Sequence, residues 1–243
     1  MISRILFSIS IFFFSFNSLA IAQSDLKTGE FILKATPSQL LGAEAANYKS
    51  IIKEDAIITW EIYVPKNYDA NRPSGVMVYA GAPQNVRAPT GWFSVLEDNN
   101  IIWVAARKSG NGSSIHQREL LAMMSVPLIK NIYNIDQNRI YITGEGRIAG
   151  VVAMDYPKVF KGAILSGKLI WSDHAENKVD GIKDNRFVFV TAEKSAFPQG
   201  TRLAYNKFRN ANIKNVKLMF IANGHSYSRP KFAQSIEYLD NVR

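Results

Sequence analysis

The stretch best placed to do chemistry is Gly144-Glu145-Gly146. It follows the apolar, β-branched and aromatic run Arg139–Thr143 and precedes a helical run, Arg147–Tyr156, that Pro157 closes. Strand, glycine turn, helix is the layout of a nucleophile elbow, Gly-x-Ser-x-Gly, in which a strained turn lifts a serine hydroxyl above a sheet. The layout is present and the serine is not, because Gly146 stands at its position. Glu145, one place earlier, is a carboxylate that could itself attack. The same residues also fit Gly-x-Gly-x-x-Ala through Ala149, the dinucleotide fingerprint. That reading lacks its ribose-binding acid, since the end of the next apolar run is Leu165-Ser166-Gly167-Lys168, so no cofactor is expected.

Other chemistries have little to work with. The chain has no cysteine, so it has no thiol nucleophile and no thiolate metal site. Its three histidines, His116, His174 and His225, form no close pair, and no metal is expected.

The elements that must position these residues read as follows. Short apolar runs at Phe31–Lys34, Ile57–Val64, Gly75–Ala80, Ile101–Ala106, Arg139–Thr143, Phe160–Leu165, Arg186–Thr191 and Val216–Ala222 predict about eight strands. Helical spacing predicts helices over Trp92–Asn99, Ile115–Tyr133, Arg147–Tyr156, Thr201–Asn210 and Pro230–Val242, with an ambiguous segment at Pro37–Tyr48. In Ile115–Tyr133 the stripe is Leu120, Leu121, Met124, Leu128 and Ile132, with Met123-Met124 as core filler and a kink at Pro127. Strands alternating with helices imply an α/β domain with a mostly parallel sheet, helices on both faces and an antiparallel first pair. Ligands in such sheets bind at the carboxyl ends of the strands, here the loops after Ala80, Ala106, Thr143, Leu165, Thr191 and Ala222.

Residues 1–22 are expected to be a secretory signal peptide: Arg4, an apolar Ile5–Phe16, then Ala20-Ile21-Ala22 before Gln23. The expectation is a secreted or periplasmic protein, cleaved near Ala22-Gln23, with a single domain over 23–243 and no transmembrane segment in its mature form. Positive charge is concentrated at the end of the chain. From Lys194 to Arg243 there are 9 basic and 2 acidic residues, on a chain whose net charge is +9. This reads either as a solvated basic surface that keeps a secreted protein soluble or as a face for an anionic ligand or an envelope component. No nucleic-acid-binding motif accompanies it, so nucleic acid is not an expected partner.

Several phrases carry a family resemblance: Tyr63-Val-Pro-Lys-Asn-Tyr68, Trp103-Val-Ala-Ala-Arg-Lys-Ser-Gly-Asn111, Asp136-Gln-Asn-Arg-Ile-Tyr-Ile-Thr-Gly144, Tyr156-Pro-Lys-Val-Phe-Lys-Gly162 and Asn223-Gly-His225. In this order and spacing the chain resembles the α/β-hydrolase superfamily, and within it secreted esterases of the polyhydroxyalkanoate-depolymerase and feruloyl-esterase kind. The resemblance implies a three-layer fold and a serine, histidine and carboxylate triad acting on carboxylic esters. Carried over position by position, the serine falls on Gly146, the acid on Ser195 and the histidine on His225. The small residue after the nucleophile falls on Ile148, which implies a relaxed or rebuilt elbow. The oxyanion loop falls on Gly81 and Ala82, followed by Pro83, which has no N–H to offer. Glu193 lies two places before the acid position.

With nucleophile and acid both replaced, the resemblance implies a protein that binds and does not turn over, with His225 a relict or loop-packing residue. A small ester is an alternative ligand, and pairing with an active homologue is a further reading. The alternative is an esterase using a displaced serine (Ser166, Ser109, Ser113 or Ser114) with His225 as its base.

Overall fold

The computed structural model describes residues 26–166, 178–192, 198–221 and 228–241. Eight strands form one sheet: β1 (Gly29–Ala35), β2 (Ile58–Val64), β3 (Ser74–Ala80), β4 (Ile101–Ala106), β5 (Ile135–Glu145), β6 (Gly162–Ser166), β7 (Arg186–Ala192) and β8 (Asn215–Ile221). Their order is β1-β2-β4-β3-β5-β6-β7-β8. β2 runs antiparallel to both β1 and β4, and every other neighbouring pair is parallel. The expected eight strands and antiparallel first pair are therefore present.

Among the described residues, seven α-helices connect and cover the sheet. They are α1 (Pro37–Leu41), α2 (Phe93–Asp98), α3 (Ile115–Lys130), α4 (Gly146–Asp155), α5 (Val179–Ile182), α6 (Pro198–Asn210) and α7 (Arg229–Asn241). The ambiguous segment resolves into α1, started by a capping box between Thr36 and Gln39, and a 3-10 turn over Gly42–Tyr48. Short α5 occupies the end of the polar stretch after β6.

Strand alternation divides the core in two. On β4, Ile102, Val104 and Ala106 face one layer while Ile101, Trp103 and Ala105 face the other. The first layer holds α3, α4 and α6, through residues such as Met124, Ile148 and Phe208. The second holds α2 and α7, through Leu96, Phe232 and Ile236. Trp60 and Trp103 are almost wholly buried, one in each layer. Burying side chains of this size stabilises by roughly 2–3 kcal/mol each. Trp60 also donates its indole N–H to the buried Ser125 hydroxyl at 3.0 Å, and that hydroxyl donates to the Leu121 carbonyl.

The helix α3 runs through Pro127 rather than ending there. Met124 is fully buried as expected, but Met123 is only partly buried and faces a cavity. Among the described residues no helix is long and apolar enough to cross a membrane.

Candidate functional site

At the carboxyl ends of β3 and β5 the chain makes its strand-to-helix turn. Gly144 pairs with Ala80 and has φ +139°. A Cβ there would lie 2.0 Å from the Ala80 carbonyl oxygen, so only glycine fits. Glu145 then returns to extended backbone (φ −71°, ψ 127°), and α4 begins at Gly146 itself. Gly146 is not among the glycines with positive φ. The positive φ of this turn therefore falls on Gly144, two places before the expected nucleophile position. Ile148 itself turns away from the mouth and is fully buried in the α3–α4 layer, while Arg147 is exposed.

The loop after β3, expected to offer the oxyanion-binding N–H groups of Gly81 and Ala82, is docked onto the loop after β4. The Asn111 N–H donates to the Ala82 carbonyl at 2.9 Å, and the Lys108 N–H donates to the Gln84 carbonyl at 2.6 Å. Beneath both loops lies Arg118, 7% exposed, which donates from Nη2 to the Gly81 carbonyl at 2.9 Å and from Nε to the Ser109 carbonyl at 3.0 Å. The Tyr79 hydroxyl covers Gly81, only 2.2 Å from where a Cβ would stand.

Electrostatically the site is a compact group of Tyr79, Arg118, Glu145 and Arg147. Burial pulls the Arg118 guanidinium below its ordinary value; Glu145 opposes this and Arg147 adds to it. Burial pushes the Tyr79 phenol up, and the Glu145 carboxylate pushes it further, against a smaller pull from Arg118. A phenol held protonated donates a hydrogen bond; it does not attack. The constellation can hold a polar or charged group.

The candidate serines are engaged with backbone. Ser109 donates to the Ala106 carbonyl and Ser113 to the Lys108 carbonyl, both at 2.7 Å. Ser114 caps α3 by accepting the Gln117 N–H. Ser166, at the end of β6 opposite Glu145, is exposed and donates to the Gly144 carbonyl at 3.0 Å. Ser195, His225 and the nearby Glu193 lie outside the described residues. Sequence reading passed over Arg118. Its signal was available, since Arg118 falls in phase with the buried positions Leu121, Ala122 and Ser125 of α3.

No protein-family model matches the chain, and no curated protein matches it in sequence. Solved structures do match. A ferulic acid esterase superposes with TM-score 0.61 at 11% identity, covering 88% of this chain and 99% of that one. An S-formylglutathione hydrolase from Agrobacterium tumefaciens gives TM-score 0.54 at 14% identity, covering 86% and 95%. A thermostable esterase gives TM-score 0.53 at 19% identity over 75% of this chain, which spans 56% of that esterase's length. The fold is the three-layer α/β-hydrolase fold, with esterases among its structural neighbours.

Proposed function

We propose that this is an exported α/β-hydrolase-fold protein, related to carboxylic ester hydrolases, that has lost serine-type chemistry and acts by binding. The observation that carries this reading is the turn at Gly146. A residue without a side chain opens α4 directly, with none of the positive φ that a strained elbow uses. The Tyr79 hydroxyl, which fills the space beside Gly81 in the expected oxyanion loop, supports it further. What the protein binds is a small anionic or ester-bearing ligand, or an anionic envelope component. Two features favour such partners: the cationic Arg118–Arg147 pair at the strand ends, and the basic last fifth of the chain, where Arg202 and Lys217 stack over Phe220 and Tyr238.

The test is hydrolysis of short-chain nitrophenyl and feruloyl esters by the purified protein, with a fluorophosphonate probe in the same samples. The expected result is neither turnover nor labelling on folded protein. Turnover with a labelled serine would instead establish the displaced-serine esterase, and Ser166 is the residue where the label would be sought first. Intact mass of the protein recovered from expressing cells tests export through loss of residues 1–22.

A further inference from the structure

A cavity lies on the α3 face of the sheet and includes none of the residues of the Gly144–Gly146 turn. It encloses about 250 Å³ between the 3-10 turn after α1, one stripe of α3 and the end of α4. The stripe is His116, Glu119, Met123 and Pro127, spaced three, four and four residues apart, so that they stack along one side of the helix. Leu41 and Leu120 supply an apolar wall, and Tyr48 and Tyr156 bring two phenol rings.

Two features of this cavity point to one kind of occupant. The Glu119 side chain is only 14% exposed, and its ion-pair contact is a long one, 3.6 Å to Nδ1 of the largely exposed His116. Lys178, which together with His116 opposes the rise of the Glu119 pKa, is itself paired with the neighbouring carboxylate Asp155. Burial, and then Asp155, push the Glu119 carboxyl up, and Glu119 in turn adds to the rise that burial causes in the Tyr156 phenol. The carboxylate is thus held where a cation would relieve it. Met123 and Pro127, on the same stripe of α3, add apolar surface to the lining. Finally, the cavity is an acidic enclave, with Glu44 at its rim, on a chain whose net charge is +9.

We propose that this cavity binds a primary ammonium group carried on a short apolar body, with Glu119 as counter-ion and the Tyr48 and Tyr156 rings around the cation. The ammonium can belong to a free alkylamine or to a lysine side chain presented by another protein; the recognition chemistry is the same. This site does not depend on whether the elbow is catalytic.

The test is calorimetric and NMR titration of the full-length protein at neutral pH. The ligands are n-butylammonium chloride, neutral n-butanol, and the lysine analogue Nα-acetyl-lysine methylamide. Butylammonium is expected to bind saturably and at least about tenfold more tightly than butanol, the scale of one charge-assisted hydrogen bond. Glu119→Gln is expected to abolish that preference, and Tyr48→Leu to weaken butylammonium by about threefold to tenfold. Each variant is first shown to be folded by its amide spectrum. Lysine amide binding as tightly as butylammonium assigns the cavity to a lysine of a partner; much weaker binding assigns it to a free amine. Equal affinity for butanol and butylammonium, or an ammonium affinity unchanged in both variants, would overturn the proposal. So would the absence of binding up to tens of millimolar.

Discussion

Arg118 and Gly81, 37 residues apart, are joined by a 2.9 Å hydrogen bond from a buried guanidinium to a loop carbonyl. The same guanidinium holds the Ser109 carbonyl, so one side chain fastens the loops after β3 and β4 to each other. Arg118→Met keeps much of the volume and removes both donors. It should cost about 2–4 kcal/mol, the scale of two buried carbonyls left without partners. Amide hydrogen exchange should rise in residues 81–84 and 108–112 before it rises in the strands. Arg118→Lys should not rescue it, because a point-charge ammonium cannot span two carbonyls as a planar fork does. Uniform exchange in the variant would show that Arg118 is only a packing residue.

The two glycines of the turn should behave oppositely. Gly144→Ala places a Cβ 2.0 Å from the Ala80 oxygen at a φ of +139°, and both problems are backbone problems that no rotamer relieves. A loss on the order of 3 kcal/mol or more is expected, read from chemical denaturation. Gly146 has no positive φ, so Gly146→Ser carries no such backbone strain and should fold. It should also fail to hydrolyse nitrophenyl esters, because Ser195 at the expected acid position offers no carboxylate to orient a base. Turnover approaching that of ordinary esterases in this single variant would mean that the acid position at Ser195 has been misassigned.

The sheet was legible because fully buried strands are uniformly apolar. Val76 to Val78 and Ile101 to Val104 leave no polar alternative, and turn residues punctuate them. The layout of the turn was legible for the same reason. The glycine that bears the positive φ was not, since Gly144 and Gly146 look alike in sequence and only the close approach of Ala80 distinguishes them. Arg118 was overlooked because a buried arginine satisfied by two carbonyls has no short-range signature beyond its phase on the helix. The Glu119 cavity was illegible because its walls come from segments more than 60 residues apart, Glu44 to Tyr48 on one side and α3 on the other.

The C-terminal helix is fastened to the centre of the sheet by a fork. Arg139 on β5 donates from Nε and Nη2 to the two carboxylate oxygens of Asp240 at 3.0 and 2.7 Å, and the Tyr141 hydroxyl donates to Asp240 at 2.7 Å. The ion-pair side chains are 22% and 21% exposed, so water screens the pair only partly. Asp240→Asn should destabilise by about 1–3 kcal/mol, with the loss concentrated in exchange of the α7 amides. Tyr141→Phe removes one of the three bonds and should cost about 1 kcal/mol. A wild-type unfolding midpoint in Asp240→Asn would show that α7 is held by Phe232, Ile236 and Leu239 alone.

Glu119 gives the protein a pH dependence of definite sign. Burial first, and then Asp155, raise its carboxyl above the ordinary carboxylate range; His116 and Lys178 oppose the rise, and Tyr156 is among the groups that feel its charge. The folded chain therefore holds this proton more tightly than the unfolded chain does. Between the ordinary and the raised value the folded state carries the extra proton, so stability falls as pH rises through that window and the loss persists above it. Glu119→Gln mimics the protonated form. It should be more stable than wild type at neutral pH and indistinguishable from it once the carboxyl is protonated in both states, as read from denaturation midpoints on either side of the carboxylate range. In wild type, added butylammonium should recover the lost stability at neutral pH; in Glu119→Gln it should not, because the counter-ion is gone. A variant less stable than wild type at every pH would mean that the Glu119 carboxylate already has the partner it needs.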